Sequence, residues 1–176
     1  MKWGAQGQRP SQRWGSWRAH TMFFLLAWGI LGLWGGVTAA NAQALDKPLP
    51  STDALTISLA QALTRKQPLV VMVSLDGCPF CKVARTNYLT PIVGKDGLVI
   101  VQVDMRSQKT ISDFKGKTVT QDELIRTWRI KIAPTVLFFG KDGQEIAERL
   151  EGAYIPDFYG AYLDERLAQS RAVIRQ

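Results

Sequence analysis

The sequence predicts an α/β domain with a central mixed β-sheet flanked by helices and a pair of cysteines at a helix N-terminus. Short apolar runs alternate with segments of helical periodicity, in the order α-β-α-β-α-β-β-α. The last two apolar runs are joined by the turn 140–143, which predicts an antiparallel edge beside parallel strands. The motif Cys78-Pro79-Phe80-Cys81 directly follows the first apolar run.

The first helix and the first strand are predicted on either side of Pro68. Apolar residues recur at helical spacing in 55–66, and Pro68 ends that helix. Residues 69–75 are almost continuously apolar, which is typical of a strand buried on both faces. The dipeptide Asp76-Gly77 indicates a turn into the helix that Cys78 opens.

The middle of the chain predicts a strand, a loop and a helix. Residues 98–103 form a second buried-strand pattern, and residues 105–119 are polar and predict a long loop. Thr120 and Glu123 have the spacing of a capping box at the start of a helix that runs through Trp128. The helical spacing places Trp128 in the core.

A β-hairpin and a final helix complete the prediction. Residues 135–139 and 144–150 are the expected strands on either side of the turn, and they pair as an antiparallel edge. Pro156 begins the last helix. The apolar residues expected to share one face of this helix are Tyr159, Tyr162, Leu163 and Leu167.

The first 44 residues have the pattern of a secretory signal peptide. A polar, basic segment (1–20) precedes an apolar run (22–37) and small residues, with cleavage expected after Ala42 or Ala44. The run is shorter than the roughly 20 residues that span a bilayer, so an uncleaved membrane anchor is the less favoured alternative. Residues 45–176 are then a single domain in the periplasm.

The leader also accounts for much of the basic charge. The net charge is +7, but residues 1–44 hold four of the 22 basic and none of the 15 acidic side chains, together with the only histidine. Residues 45–176 have a net charge of only +3, which does not favour a nucleic-acid partner. Without histidine, the exported domain has neither a histidine base nor a His-ligated metal site, and no cofactor is implied.

The cysteine spacing predicts redox chemistry. A disulfide between Cys78 and Cys81 closes so small a loop that it stabilises a folded domain by only about 2 kcal/mol. One thiolate can instead attack a substrate disulfide, and the second thiol lies close enough to resolve the mixed disulfide. A structural disulfide and a metal half-site completed by a second chain are the other interpretations.

The position of Cys78 favours its thiolate. Backbone N–H groups and the helix dipole stabilise a negative charge at a helix N-terminus. Lys82 and Arg85 add positive charge, whereas Asp76 opposes the effect. We therefore expect a lowered pKa for Cys78 and assign pKa tuning to Lys82 and Asp76.

The motifs resemble those of the thioredoxin superfamily. The strand, turn, Cys-Pro-Phe-Cys, helix and the later Ala133-Pro134-Thr135 ahead of a strand carry the resemblance, which spans residues 69–167. The loop with Phe114-Lys115-Gly116, residues 135–139 and a Gly-x-Glu return strand look most like those of the exported thioredoxin-like proteins associated with bacterial sulphur oxidation (the SoxW type). The resemblance implies a thioredoxin fold, Cys78 as nucleophile and Cys81 as resolving residue. It also implies a cis Pro134 facing Cys78 and substrate docking at Ala133 and Pro134. Pro79 and Phe80, between the cysteines, are assigned to the redox motif and to substrate docking beside them.

Three features depart from cytoplasmic thioredoxin. Gly77 takes the place of a tryptophan, Pro79-Phe80 replaces Gly-Pro, and Met72 stands where a buried acid is expected. Phe80 is expected either to be exposed toward apolar partners or to pack on the domain.

The predicted function is a periplasmic thiol–disulfide oxidoreductase that reduces protein disulfides and is recharged by a membrane-bound thiol electron donor. One alternative is a disulfide donor or isomerase in the folding of envelope proteins. The other is a non-catalytic module that binds a metal or a partner. The basic residues of 105–119 form either a solvated loop or a rim that selects acidic partners; they are Arg106, Lys109, Lys115 and Lys117.

Overall fold

The computed structural model describes residues 48–152 and 156–176 of the chain. The predicted signal peptide, with its cleavage sites at Ala42 and Ala44, lies outside these ranges. In the described part of the chain, no helix has both the length and the apolar character needed to cross a bilayer.

A mixed four-stranded sheet and a separate hairpin make up the β-structure of the described residues. The sheet order is β2-β1-β5-β6, with β1 and β2 parallel and the other neighbours antiparallel. β3 and β4 form a separate antiparallel hairpin, and Ser112 of β3 also makes a single parallel bridge with Ala54. The strands are β1 (Leu69–Ser74), β2 (Val99–Asp104), β3 (Thr110–Ser112), β4 (Thr118–Thr120), β5 (Thr135–Phe139) and β6 (Leu150–Glu151).

Four helices surround the sheet in the described residues. The second continues directly into a π-helical turn, Ala84–Leu89, and a 3₁₀ turn, Thr90–Ile92. The predicted positions are confirmed within a few residues. The helices are α1 (Leu55–Thr64), α2 (Pro79–Val83), α3 (Gln121–Thr127) and α4 (Pro156–Ile174).

The sheet separates two apolar cores. Successive side chains of a strand point to opposite faces. Val70 and Met72 of β1 accordingly pack in one cluster with Cys81 and with residues of α4, while Val71 and Val73 pack in the other with residues of α1 and α3. Every residue of β1 is buried, as its apolar run predicts.

The topology brings three chain segments to one edge of the sheet. β1 and β2 end there, at the paired residues Ser74 and Asp104. β5 begins there, because it is antiparallel to β1 and Thr135 pairs with Val73. The cysteine motif follows β1 and Pro134 precedes β5, so this edge carries both.

The direction of β5 corrects one expectation. Strands separated by a helix predict parallel pairing, but β5 runs antiparallel to β1. The connection from β2 to β5 begins and ends at the same edge of the sheet. Its only helix, α3, has seven residues and spans about 10 Å, so it does not carry the chain back to the other edge.

Two further expectations are corrected. The predicted loop 105–119 contains β3 and most of β4. Ile111 in this segment packs in the second core, which the polar composition of the segment did not indicate. The predicted strand 144–150 is strand only at Leu150–Glu151, with a single bridge between Glu145 and Phe139. The segment between them makes no regular ladder.

Aromatic residues divide between core and surface. Tyr159, Leu163 and Leu167 of α4 are buried as predicted, but Tyr162 is 47 % exposed, so it does not share their face. Trp128 is partly buried and lies against Phe139 and Phe114, with ring centroids 5.2 and 6.3 Å away. Its placement in the core is confirmed.

Candidate active site

Cys78 is the N-cap residue of α2. Its backbone is extended, Pro79 begins the helix, and the Cys78 Sγ atom accepts a hydrogen bond from the Cys81 backbone N–H at 3.1 Å. The helix continues without a break into the π-helical turn. The sulfur therefore lies where unpaired N–H groups and the helix dipole favour a thiolate.

The two sulfurs form a disulfide and differ in accessibility. Cys78 and Cys81 are bonded, with their Cα atoms 5.2 Å apart. Cys78 is partly exposed at the edge of the sheet, whereas Cys81 is completely buried among apolar side chains that include Met72. Of the two sulfurs, only that of Cys78 can be reached by a large partner molecule.

The segment before β5 lies directly beside Cys78. The Ala133–Pro134 peptide bond is cis, as the resemblance implies. The carbonyl oxygen of Ala133 is 3.9 Å from the Cys78 Sγ atom. The Pro134 carbonyl accepts a hydrogen bond from the Gly152 N–H at 2.7 Å, and the Ala133 N–H donates to no backbone or side-chain acceptor in the described residues.

Gly77 fits its place for conformational reasons. Its φ of +70° lies in the left-handed region that L-residues with a side chain rarely adopt. An added Cβ atom would meet no heavy atom within 4 Å, so the restriction comes from the backbone and not from lack of space. A tryptophan at this position would have to adopt a strained backbone.

The motif residues between and around the cysteines are accessible. Phe80 is 56 % exposed, in agreement with the first of its two predicted arrangements. Pro79, Lys82 and Asp76 are also exposed. Lys82 and Asp76 both lie at the groove described next, so they belong to the neighbourhood of Cys78.

A groove of about 980 Å³ opens beside Cys78 on the side of β2. Its walls come from the end of β1 and the following turn, from α2, and from the end of β2 and the residues after it. Three cationic residues line it, namely Lys82, Arg85 and Arg106. Because β1 lies between β2 and β5 in the sheet, the groove and Pro134 are on opposite sides of Cys78.

Sequence reasoning missed a polar network in this groove. Arg85 Nη1 donates to Gln102 Oε1 at 3.1 Å, and Gln102 Nε2 donates to Asp104 Oδ1 at 2.7 Å. The backbone N–H of Asp104 in turn donates to Oε1 of the buried Gln121. The detectable signal was the pair of polar residues at the end of an otherwise apolar strand.

The proposed basic rim is only partly present. Arg106 lines the groove, but the hairpin carries its tip away from Cys78. Phe114 at that tip packs on Phe139, at the far end of β5, with ring centroids 4.7 Å apart. Lys115 and Lys117 therefore lie with the opposite edge of the sheet and do not surround the cysteines.

One family model matches this chain. It is described as a thioredoxin-like domain and matches residues 55–166, more than half of the chain. The matched span includes both cysteines and Pro134. No curated protein matches the chain.

Several solved structures resemble the chain at low identity. A thioredoxin-fold protein from Helicobacter pylori has 16 % identity and a TM-score of 0.47, and the match covers 74 % of this chain and 91 % of that one. Trxlp from Edwardsiella tarda EIB202 has 21 % identity and a TM-score of 0.45, and the match covers 66 % of this chain and 98 % of that one. The short form of thioredoxin f from spinach chloroplast has 15 % identity and a TM-score of 0.49, and the match covers 71 % of this chain and 95 % of that one.

Proposed function

This chain belongs to the thioredoxin-like domain family, and we propose that it is an exported thiol–disulfide oxidoreductase that reduces the disulfides of other proteins. It has a thioredoxin fold with a redox-active Cys78–Cys81 disulfide at the start of a helix. The observation that carries the proposal is the asymmetry of this pair. Cys78 is accessible at a helix N-cap beside a cis-proline, and Cys81 is completely buried behind it.

The asymmetry supports Cys78 as the nucleophile and Cys81 as the resolving residue. In the reduced protein the Cys78 thiolate attacks one sulfur of a substrate disulfide. A mixed disulfide forms, and the other substrate sulfur leaves and takes up a proton. The Cys81 thiol then loses its proton and attacks the Cys78 sulfur. The second substrate sulfur leaves as a thiol, two electrons have passed to the substrate, and the Cys78–Cys81 disulfide is restored.

The substrate segment is placed beside Cys78 by Ala133 and Pro134. The Ala133 N–H has no acceptor in the described residues, and the Ala133 carbonyl lies 3.9 Å from the reactive sulfur. An extended peptide can pair with these backbone groups as an added strand does. Phe80, more than half exposed, adds an apolar contact for a partner with exposed apolar surface.

Charges near Cys78 set the reactivity of its thiolate. Lys82 lies one turn into the helix and Asp76 precedes the motif, and both line the groove that Cys78 also lines. A nearby cation favours the thiolate, whereas a nearby carboxylate disfavours it. In this proposal Lys82 and the helix N-terminus lower the pKa of Cys78, and Asp76 limits that effect.

Export determines the source of electrons. The basic, apolar and small-residue pattern of residues 1–44 supports removal of a signal peptide and a periplasmic location. A soluble reductase of the cytoplasm would not reach this protein, so we assign a membrane-bound thiol protein as the electron donor. The resemblance to SoxW-type proteins, carried by Phe114-Lys115-Gly116 and residues 135–139, supports the same assignment.

Trapping of mixed disulfides tests the function. The full chain with Cys81→Ala can attack a substrate but cannot resolve the product, so it should accumulate disulfide-linked adducts on non-reducing gels. Adducts should be recovered from the periplasmic fraction, and the N-terminus of the trapped protein should be Gln43 or Leu45.

The matched control is Cys78→Ala, which keeps the buried cysteine and removes the accessible one. It should form no adducts. Equal adduct formation by the two variants would contradict the assigned roles, and an intact N-terminus in the cytoplasmic fraction would contradict export.

A further inference from the structure

We propose that the groove beside Cys78 recognises carboxylates next to the target disulfide, so that acidic peptide segments are the preferred substrates. The inference rests on the proposed function and names its substrate class. Arg85 and Arg106 are the residues assigned to this selectivity, and both line the groove together with Cys78.

Two arginines supply the cations of the groove on which the proposal rests. Arg85 and Arg106 line it together with Lys82, and the acidic side chains in its lining are Asp76 and Asp104. Asp104 Oδ1 already accepts a hydrogen bond from Gln102 at 2.7 Å, and Asp76 is exposed to solvent. Arginines in a concave site raise the local concentration of ligands that carry carboxylates.

Arg85 is held in place with part of its hydrogen-bonding capacity unused. Its Nη1 donates to Gln102 Oε1 at 3.1 Å, and Gln102 is itself fixed by Asp104. The Nε atom of Arg85 is buried, so it is not available to a ligand in the groove. The terminal Nη groups belong to a guanidinium that Gln102 already orients, and their remaining N–H groups can donate to a carboxylate.

The groove lies where residues flanking a bound disulfide would pass. Cys78 separates the groove on the β2 side from Ala133 and Pro134 on the β5 side. A peptide whose cysteine reaches Cys78 and whose backbone pairs with Ala133 continues across the Cys78 sulfur into the groove. Its side chains there meet Arg85 and Arg106.

The experiment compares two synthetic peptides that contain the same disulfide, one with Asp and one with Asn on either side of each cysteine. The full chain is reduced, and the second-order rate constant for reduction of each peptide is measured. We expect the Asp peptide to react about tenfold faster at low ionic strength. The preference should fall near 1 M salt, where charges are screened beyond about 3 Å.

Three variants locate the effect. Arg85→Gln and Arg106→Gln should each lower the preference to about threefold or less, since a removed charge near a binding site mainly lowers the association rate. Arg106 is exposed, so its variant stays folded even if loss of the Arg85 hydrogen bond disturbs α2. Lys141→Gln, an exposed cation at the far end of β5, is the matched control and should keep the full preference.

The outcomes separate the possible failures. Equal rates for the two peptides, or a preference that survives both arginine substitutions, overturn the inference and leave the proposed function intact. Reduction of neither peptide overturns the proposed function and the inference with it. Glutathione disulfide also carries carboxylates. If it shows the Arg85 dependence and the peptides do not, the groove serves a small disulfide and the peptide assignment is wrong.

Discussion

Cys78 and Cys81 are three positions apart at the start of one helix, and this separation gives them different surroundings and different proposed roles. Cys78 precedes the first turn of α2 and stays at the edge of the sheet, whereas Cys81 lies one turn into the helix and faces the core. Met72 packs in the same cluster, where a buried acid would be the natural proton acceptor for Cys81. The proton of Cys81 therefore leaves through a group other than the side chain at position 72.

Tyr159 is one of several residues with a buried polar atom that has no hydrogen-bond partner in the described part of the chain. It is 5 % exposed, and its hydroxyl has no hydrogen-bond partner in the described residues. Burial, together with the neighbouring Tyr88, holds the pKa of Tyr159 well above its ordinary value. The ring itself packs on Tyr88 with centroids 4.9 Å apart.

We expect Tyr159→Phe to leave the free energy of unfolding unchanged or to raise it by about 1 kcal/mol. A buried hydroxyl without a partner costs free energy, and the substitution removes that cost while keeping the ring. Urea unfolding of the oxidised protein measures the change. Tyr159→Leu, which loses the ring contact, should destabilise the protein. A loss of more than 1 kcal/mol in Tyr159→Phe would mean that the hydroxyl has a stabilising partner.

Helix α3 depends on its first turn. Thr120 Oγ1 accepts from the Glu123 N–H at 3.1 Å, and a Glu123 carboxylate oxygen accepts from the Thr120 N–H at 2.9 Å, which completes the capping box predicted from the sequence. The hydrogen bond from the Thr120 backbone is the largest of the effects that lower the pKa of Glu123. The helix is only seven residues long, so its two ends contribute much of its stability.

Thr120→Ala should lower the free energy of unfolding by about 1 kcal/mol, because it leaves an N–H group of the first turn unsatisfied. Thr127→Ala in the same helix is the matched control. Its hydroxyl donates to the Glu123 carbonyl, and alanine is the better helix former, so little change is expected. Equal losses in the two variants, measured by urea unfolding, would argue against the capping box.

The same box gives a pH dependence of known sign. The pKa of Glu123 is lower in the folded protein than in the unfolded chain, so its carboxylate stabilises the fold fully at any pH above the unfolded-state pKa. This stabilisation is lost as the pH falls through the folded-state pKa. Glu123→Gln should therefore flatten the acid side of the stability profile. A variant whose profile is as steep as that of the unmodified protein would contradict this assignment.

The elements that were predicted correctly are those in which one local signal dominates. The apolar run of β1, the capping box of α3 and the run of β5 each specify an element without reference to the rest of the chain. β3 and β4 were missed, because each has three residues and their pairing depends on a contact between segments several residues apart. The strand predicted over residues 144–150 was too long, because a turn shows that a strand returns but not where it leaves its partner.

At the scale of the whole molecule, the cysteines and Pro134 were predicted as a site, and the groove was not. The cysteines and Pro134 lie in short motifs that the family resemblance identifies. The groove is assembled from the ends of two strands and a helix, and the Arg85–Gln102–Asp104 network joins residues 17 and two positions apart. Only the sheet order brings these residues to the same edge.

The reduction potential of the Cys78–Cys81 pair distinguishes a reductant from a disulfide donor. The pair is titrated against glutathione buffers and read by thiol alkylation, because Trp128 packs in the other core and reports poorly on Cys81. We expect a value at or below about −230 mV, as in proteins that reduce disulfides. A value of about −150 mV or above, or a pair that does not titrate reversibly, would contradict the assignment of this protein as a reductant.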